Sequence, residues 1–124
     1  MSYFEREILH HAHPRQMIMR TVGAIWGLYF LWFHNWEWVL GVILVAETIG
    51  RILSMGMNEE SMARTTWGKI MLIHSHPVNL LVQIAGGAVL IYGFWIHSAI
   101  YIMAAMSIVL IGHMWGWHRV NAAL

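Results

Sequence analysis

The side chains with the most chemistry to offer are nine histidines in 124 residues that contain no cysteine. Four of them sit in two copies of one motif, His11-x-His13-Pro14 and His74-x-His76-Pro77. Pro14 and Pro77 suit the first turn of a helix, where a missing N–H costs nothing. The residue before a proline is pushed towards extended backbone, and along an extended stretch residues i and i+2 point the same way. Each pair is therefore expected to form a pincer just before a helix. A lead-in helix running straight into the proline would splay each pair instead. A helix N-terminus disfavours added positive charge, so His13 and His76 are expected to stay neutral, the form that binds metal.

Four imidazoles without thiolate suit copper, zinc or nickel, and two from facing helices suit the iron of haem b. Met17, Met55, Met57, Met62 and Met71 fall at the same end of the chain's apolar segments, and thioether favours reduced copper. The cofactor expected is copper or haem b, with zinc as a further candidate. His11, His13, His74 and His76 are the expected ligands; His113, and also His118, could add another. His10 ranks lower, because its repeat partner is Ile73. The plainer reading is that these imidazoles bind headgroups and helix ends.

His34 and His97 belong to a different place. His34 lies 21 residues beyond His13, roughly 31 Å along a helix at 1.5 Å per residue. With Trp32, Trp36, Trp38, Trp95 and Tyr101 around them, they read as part of an outer aromatic belt, or as a second site between themselves. A last group is charged. Arg20 and Glu47 each fall about 9–10 Å inside an apolar segment at helical rise. Glu47 and Arg51 are spaced for an i,i+4 pair. An ionisable side chain inside a membrane is a functional suspect, in proton transfer or cofactor binding; a plain ion pair locking two helices is the alternative.

The elements that must carry these residues are apolar. The chain is 59% hydrophobic and 10% charged, with mean hydropathy +0.58, against about 45–50% and 25% in soluble domains. That excludes a water-soluble globule, a disordered tail and a nucleic-acid partner. The missing cysteine excludes disulfides, thiolate metal sites and iron–sulfur clusters. The fold expected is an all-α integral membrane protein of four transmembrane helices, Met17–Phe33, Trp38–Leu53, Val78–Ile96 and Ala99–Trp117. Short connections make two tandem helical hairpins. All seven basic residues, Arg119 included, fall away from the hairpin tips. The positive-inside rule then puts both termini in the cytoplasm. No cleaved signal is visible, and a prokaryotic inner membrane is the expected location.

The sequence also matches itself at an offset of 63 residues. Leu9, His11, His13, Pro14, Gly23, Tyr29, Trp32 and His34 recur as Leu72, His74, His76, Pro77, Gly86, Tyr92, Trp95 and His97. Each unit carries two spans, so the units share an orientation. A pseudo-two-fold axis along the membrane normal should relate them. Repeat 1 is taken as residues 1–53, a cytoplasmic connector as 54–64, and repeat 2 as 65–124. In the second copy Gln83 replaces Arg20 and Leu110 replaces Glu47.

The function expected is a histidine-ligated metal or haem site at the cytoplasmic-side interface. It would serve electron transfer or metal handling in a larger membrane complex or a homo-oligomer. A cofactor-free accessory subunit is the alternative, and a small proton-coupled transporter built on Glu47 a third. No H-E-x-x-H motif, phosphate loop or nucleophile–base pattern points to catalysis by the chain alone.

Overall fold

In the computed structural model the described backbone covers residues 1–123. The side chains described are those of the same residues apart from Ser75 and 117–123. The side chains of His118 and Arg119 thus lie outside the described residues. The order is α1 (Tyr3–Ala12), α2 (Pro14–Trp32), α3 (Trp36–Leu53), α4 (Glu59–Arg64), α5 (Thr66–Leu72), a 3-10 turn (Ile73–Ser75), α6 (Pro77–Trp95) and α7 (Ala99–Ala123). There is no strand among the described residues.

Local chemistry sets these boundaries. α1 opens with a capping box: Ser2 Oγ accepts from Glu5 N–H at 3.2 Å, and Glu5 Oε2 accepts from Ser2 N–H at 2.7 Å. That exchange satisfies two otherwise orphaned donors and holds the Glu5 carboxyl below the usual range. α2 and α6 start alike. His13 and His76 are extended, at φ −60° ψ 128° and φ −70° ψ 128°, and Pro14 and Pro77 take the first helical position. Both helices also end alike. His34 and His97 adopt left-handed backbone, at φ 58° and 54°. Asn35 N–H then donates to Phe30 O and His34 N–H to Leu31 O. Ser98 and His97 make the same two bonds to Gly93 O and Phe94 O. This is the Schellman arrangement, which satisfies the last carbonyls of a helix.

The apolar helices begin at the prolines, three residues before Met17 and one before Val78, because a capping histidine and a proline initiate a helix better than an apolar run does. The lead-ins are helical rather than extended. α1 runs to Ala12, and α5 passes through the 3-10 turn into His76. Trp67 Nε1–H donates to Ala12 O at 3.0 Å, tying the two lead-ins together. Gly68 lies so close to the Met62 backbone that a Cβ there would collide with it.

α2 packs along α3 and α6 along α7; the hairpins meet along α2 and α6. Gly23 lets α2 approach Ala46, and Gly86, 63 residues on, lets α6 approach Val109. A Cβ on either glycine would stand 2.6 Å from the facing side chain. Among the described residues the buried apolar core is small: Leu9, Ala12, Leu31, Val39, Ala46 and Ala105, against thirty-six large hydrophobic residues that are exposed. Such a distribution is the reverse of a soluble domain's, in which the apolar side chains seek the interior.

The four-span expectation is met in part. Among the described residues two helices, Pro77–Trp95 and Ala99–Gly116, are long and apolar enough to cross a membrane. Only 17% of each is buried, unlike the core helix of a soluble protein. α2 and α3 have similar lengths but are more polar. α2 carries Arg15, Gln16 and Arg20; α3 carries Glu37, Glu47 and Arg51.

Candidate functional site

The repeat places its chemistry at three points: one where the hairpins touch at their tips, and one at the lead-in end of each hairpin. At the tips, His34 Nε2–H donates to Trp95 O at 2.8 Å, and His97 Nε2–H donates to Trp32 O at 2.6 Å. A carbonyl can only accept, so each imidazole carries its proton on Nε2. The rings stand 5.3 Å apart, His34 edge-on to Trp95 and His97 tilted over Trp32. The two candidate outer histidines are brought together as a reciprocal clasp between the hairpins.

At the lead-in end of the first hairpin, Glu47 is the hub. Its Oε1 accepts from Arg20 Nε at 2.7 Å, and its Oε2 lies 3.5 Å from His11 Nε2. His11 Nδ1–H donates to Glu7 O at 2.6 Å. Arg51 does not pair with Glu47, as its i,i+4 spacing suggests. Its Nη2 instead binds Glu7 Oε2, on α1, at 2.6 Å. Glu59 receives Arg6 at 3.5 Å and His10 at 3.0 Å. Next to Glu47 lies a cleft of about 490 Å³ with His11, Arg20, Thr21 and Glu47 in its lining, together with Met17, Ala24, Ile43 and Met71.

The second hairpin uses the same end differently. His74 Nδ1–H donates to Met71 O at 3.2 Å, and its ring stands 5.5 Å from that of His113. His113 Nδ1–H donates to Val109 O at 2.8 Å. Gln83 Nε2 is 3.3 Å from the same nitrogen, a longer contact in which the amide, rotated by half a turn, would present its oxygen. With both Nδ1 protons committed to carbonyls, each neutral imidazole keeps its lone pair on Nε2. Burial, opposed by the Met71 carbonyl and aided by His113, holds the His74 pKa below that of a free imidazole and favours the neutral form. His74 and His113 line a cavity of about 230 Å³ with Met71 and Asn79. Asn79 is 1% exposed, and its Oδ1 has no hydrogen-bond partner among the described residues.

His13 and His76 do other work. Their Nδ1 atoms accept the Arg15 and Val78 N–H groups, each at 3.3 Å, and so cap α2 and α6. A neutral imidazole that accepts on Nδ1 carries its proton on Nε2 and has no second lone pair for a metal. The pincers are thus splayed, with His11 turned to Glu7 and Glu47 while His13 caps α2. Among the described residues no three His, Asp or Glu side chains converge to hold an ion. The pair His74–His113 falls outside that description, since its companions are an amide and a thioether.

Two site residues escape a search for histidines and charges. Gln16 and Asn79, 63 residues apart, are both amides in the first turn of a helix and both almost wholly buried. Gln16 packs against Gly50, and Asn79 against Gly112 and Gly116. Their shared place in the repeat was a legible signal. Their burial was not, because it depends on glycines in another helix. No protein-family model matches this chain, and no curated protein and no solved structure is similar to it.

Proposed function

We propose that the chain is an integral membrane protein of four spans, arranged as two hairpins about a pseudo-two-fold axis along the membrane normal. Its inner end binds a metal ion through His74 and His113, for metal handling or electron transfer within a membrane assembly. The four-span reading rests on the shared frame of the hairpins. α2 and α6 are each 19 residues long, have the same caps and lie 63 residues apart. A helix of about 20 residues matches the hydrocarbon thickness. The polar residues of α2, and Glu47 and Arg51 of α3, gather in the lead-in half of each helix. The basic residues fall towards that end in sequence, which supports a cytoplasmic side for it.

One observation carries the metal reading: two imidazoles, each with Nδ1–H tied to a carbonyl, share a cavity with a buried amide oxygen that has no partner among the described residues. Tying Nδ1–H to a carbonyl is how metal-binding histidines fix their tautomer. Two nitrogens and the Met71 thioether, with no carboxylate nearby, suit monovalent copper better than zinc, which prefers four ligands. A cavity of about 230 Å³ is below the roughly 300–1,000 Å³ of organic-cofactor sites, which favours a bare ion over haem b.

Elemental analysis of untagged protein, purified in mild detergent and loaded with copper(I) under reducing conditions, tests this. About one copper per chain is expected, lost in His74→Ala and His113→Ala and retained in His13→Ala and His76→Ala. A folded chain that takes up no copper, or one that keeps it without both His74 and His113, overturns the reading. The cofactor-free accessory subunit is the second reading. It is favoured by the meeting of the long helices along α2 and α6, which leaves the outer sides of α3 and α7 for other chains. Stoichiometric co-purification with a larger membrane complex, without metal, would support it.

A further inference from the structure

We infer that the cleft between α2 and α3 binds a neutral, lipid-soluble quinone, its head group against Arg20, His11 and Glu47 and its chain leaving sideways into the bilayer. This inference does not rest on the metal site. The first ground is an internal control. The second hairpin has the same histidine caps, the same left-handed ends and the same glycine contact. Yet it holds Gln83 and Leu110 where the first has Arg20 and Glu47. Packing such a hairpin therefore does not require an ion pair. A charged pair kept at membrane depth without a packing need points to a ligand.

The second ground is the shape of the site. Its volume, about 490 Å³, lies within the usual range for small-molecule sites, and such sites pair an apolar wall with a few convergent polar groups. The polar groups here are His11, Arg20, Thr21 and Glu47, and the wall includes Gly23 and Ala46. Ala24 and Ile43 at its flank are exposed, so the cleft opens towards the side of the hairpin and a long apolar chain has an exit.

The third ground is charge. Arg20 is balanced by Glu47, Arg51 by Glu7 and Arg6 by Glu59. Among the described residues Arg20 is the one Arg or Lys in the lining, so no surplus cation is left there for a phosphate headgroup, and the ligand is neutral. Arg20 meets Glu47 through Nε alone, which leaves guanidinium N–H donors for carbonyl oxygens. Glu47 Oε2, 3.5 Å from His11, is an acceptor for hydroxyls. A quinone offers carbonyls when oxidised and hydroxyls when reduced, and this set of groups complements both forms.

The test is isothermal titration calorimetry of the full chain in neutral-lipid nanodiscs with a decyl-substituted benzoquinone. Empty nanodiscs serve as the blank and no metal is added, so the outcome does not depend on His74 and His113. Saturable binding near one per chain is expected. It should weaken about tenfold in Arg20→Gln/Glu47→Leu, as expected when charged hydrogen bonds are removed. That variant gives the first hairpin the residues with which the second already packs. If it fails to fold by circular dichroism, Glu47→Gln, which keeps the shape of the cleft, must weaken binding instead. Absence of saturable heat, equal affinity in the folded variant, or equal competition by decanol overturns the inference. The last result would leave only an apolar groove.

Discussion

His11 and His74 occupy the same place in the two copies of the repeat, and each donates Nδ1–H to a backbone carbonyl. Beyond that bond they part. His11 turns Nε2 to Glu47, in a network with Arg20. His74 has as its neighbour the ring of His113, which stands where the first copy has Gly50. In the first hairpin Gly50 admits Gln16 tightly, so that a Cβ there would lie 2.9 Å from Gln16 Cγ. In the second the corresponding amide, Asn79, lines a cavity. One backbone frame therefore carries two chemistries. Caps, glycine contacts and left-handed ends build the frame. Three exchanges, Arg20 for Gln83, Glu47 for Leu110 and Gly50 for His113, decide what each end does.

Substitutions at matched positions break or sharpen this comparison, most directly when unfolding is followed by circular dichroism in detergent. The largest effect is expected at the helix contacts. Gly23→Ala should cost about 2–3 kcal/mol, because the Ala46 Cβ it meets is fixed to its own backbone. Gly86→Ala should cost only about 1 kcal/mol, because a Val109 methyl can rotate away. Equal costs would show that the two contacts are not built as described. Next comes the ion pair. Glu47→Leu alone should cost about 2 kcal/mol by leaving Arg20 without an acceptor. Adding Arg20→Gln should bring the total below about 1 kcal/mol, as in the second hairpin, so a double-mutant cycle should show strong coupling.

Smaller effects are expected at the histidine caps. His13→Ala and His76→Ala should each cost about 1 kcal/mol, the usual worth of an N-cap, and should agree within a few tenths. A gap of more than about 1 kcal/mol would mean that one histidine does more than cap. The smallest effect is at the tips. His34→Gly and His97→Gly should each come within about 0.5 kcal/mol of wild type, because relief of the left-handed backbone offsets one lost hydrogen bond. His34→Ala, which keeps the backbone cost and loses the bond, should be worse by about 1 kcal/mol.

The repeat was legible because its signature residues are those with strong local roles. Pro14 and Pro77 start helices, and Gly23 and Gly86 mark close approach. The pincers were read as extended from Pro14 and Pro77 alone. Ser2 and Glu5 outweighed that signal by starting a helix whose last turn contains His11. His13 and His76 were read as neutral, but a neutral imidazole still has to place one proton. The unpaired Arg15 and Val78 N–H groups place it on Nε2. Arg51 was read as a partner of Glu47 from spacing within one helix, whereas a neighbouring helix supplied Glu7 at closer range.

By itself the sequence determined the apolar all-helical character, the helix starts at the two prolines, and the recurrence of one motif 63 residues on. These depend on composition and on interactions within a few residues. Tertiary structure decided which histidines share a cavity, which carboxylate each arginine meets, and that Gln16 and Asn79 are buried. Those outcomes turn on which helix lies across which, and hydrogen bonds and ion pairs form only over the last few ångströms of that approach. The clasp between His34 and His97 shows both at once. Its residues are visible as a repeat at the helix ends, and its bonds exist only because α2 lies beside α6.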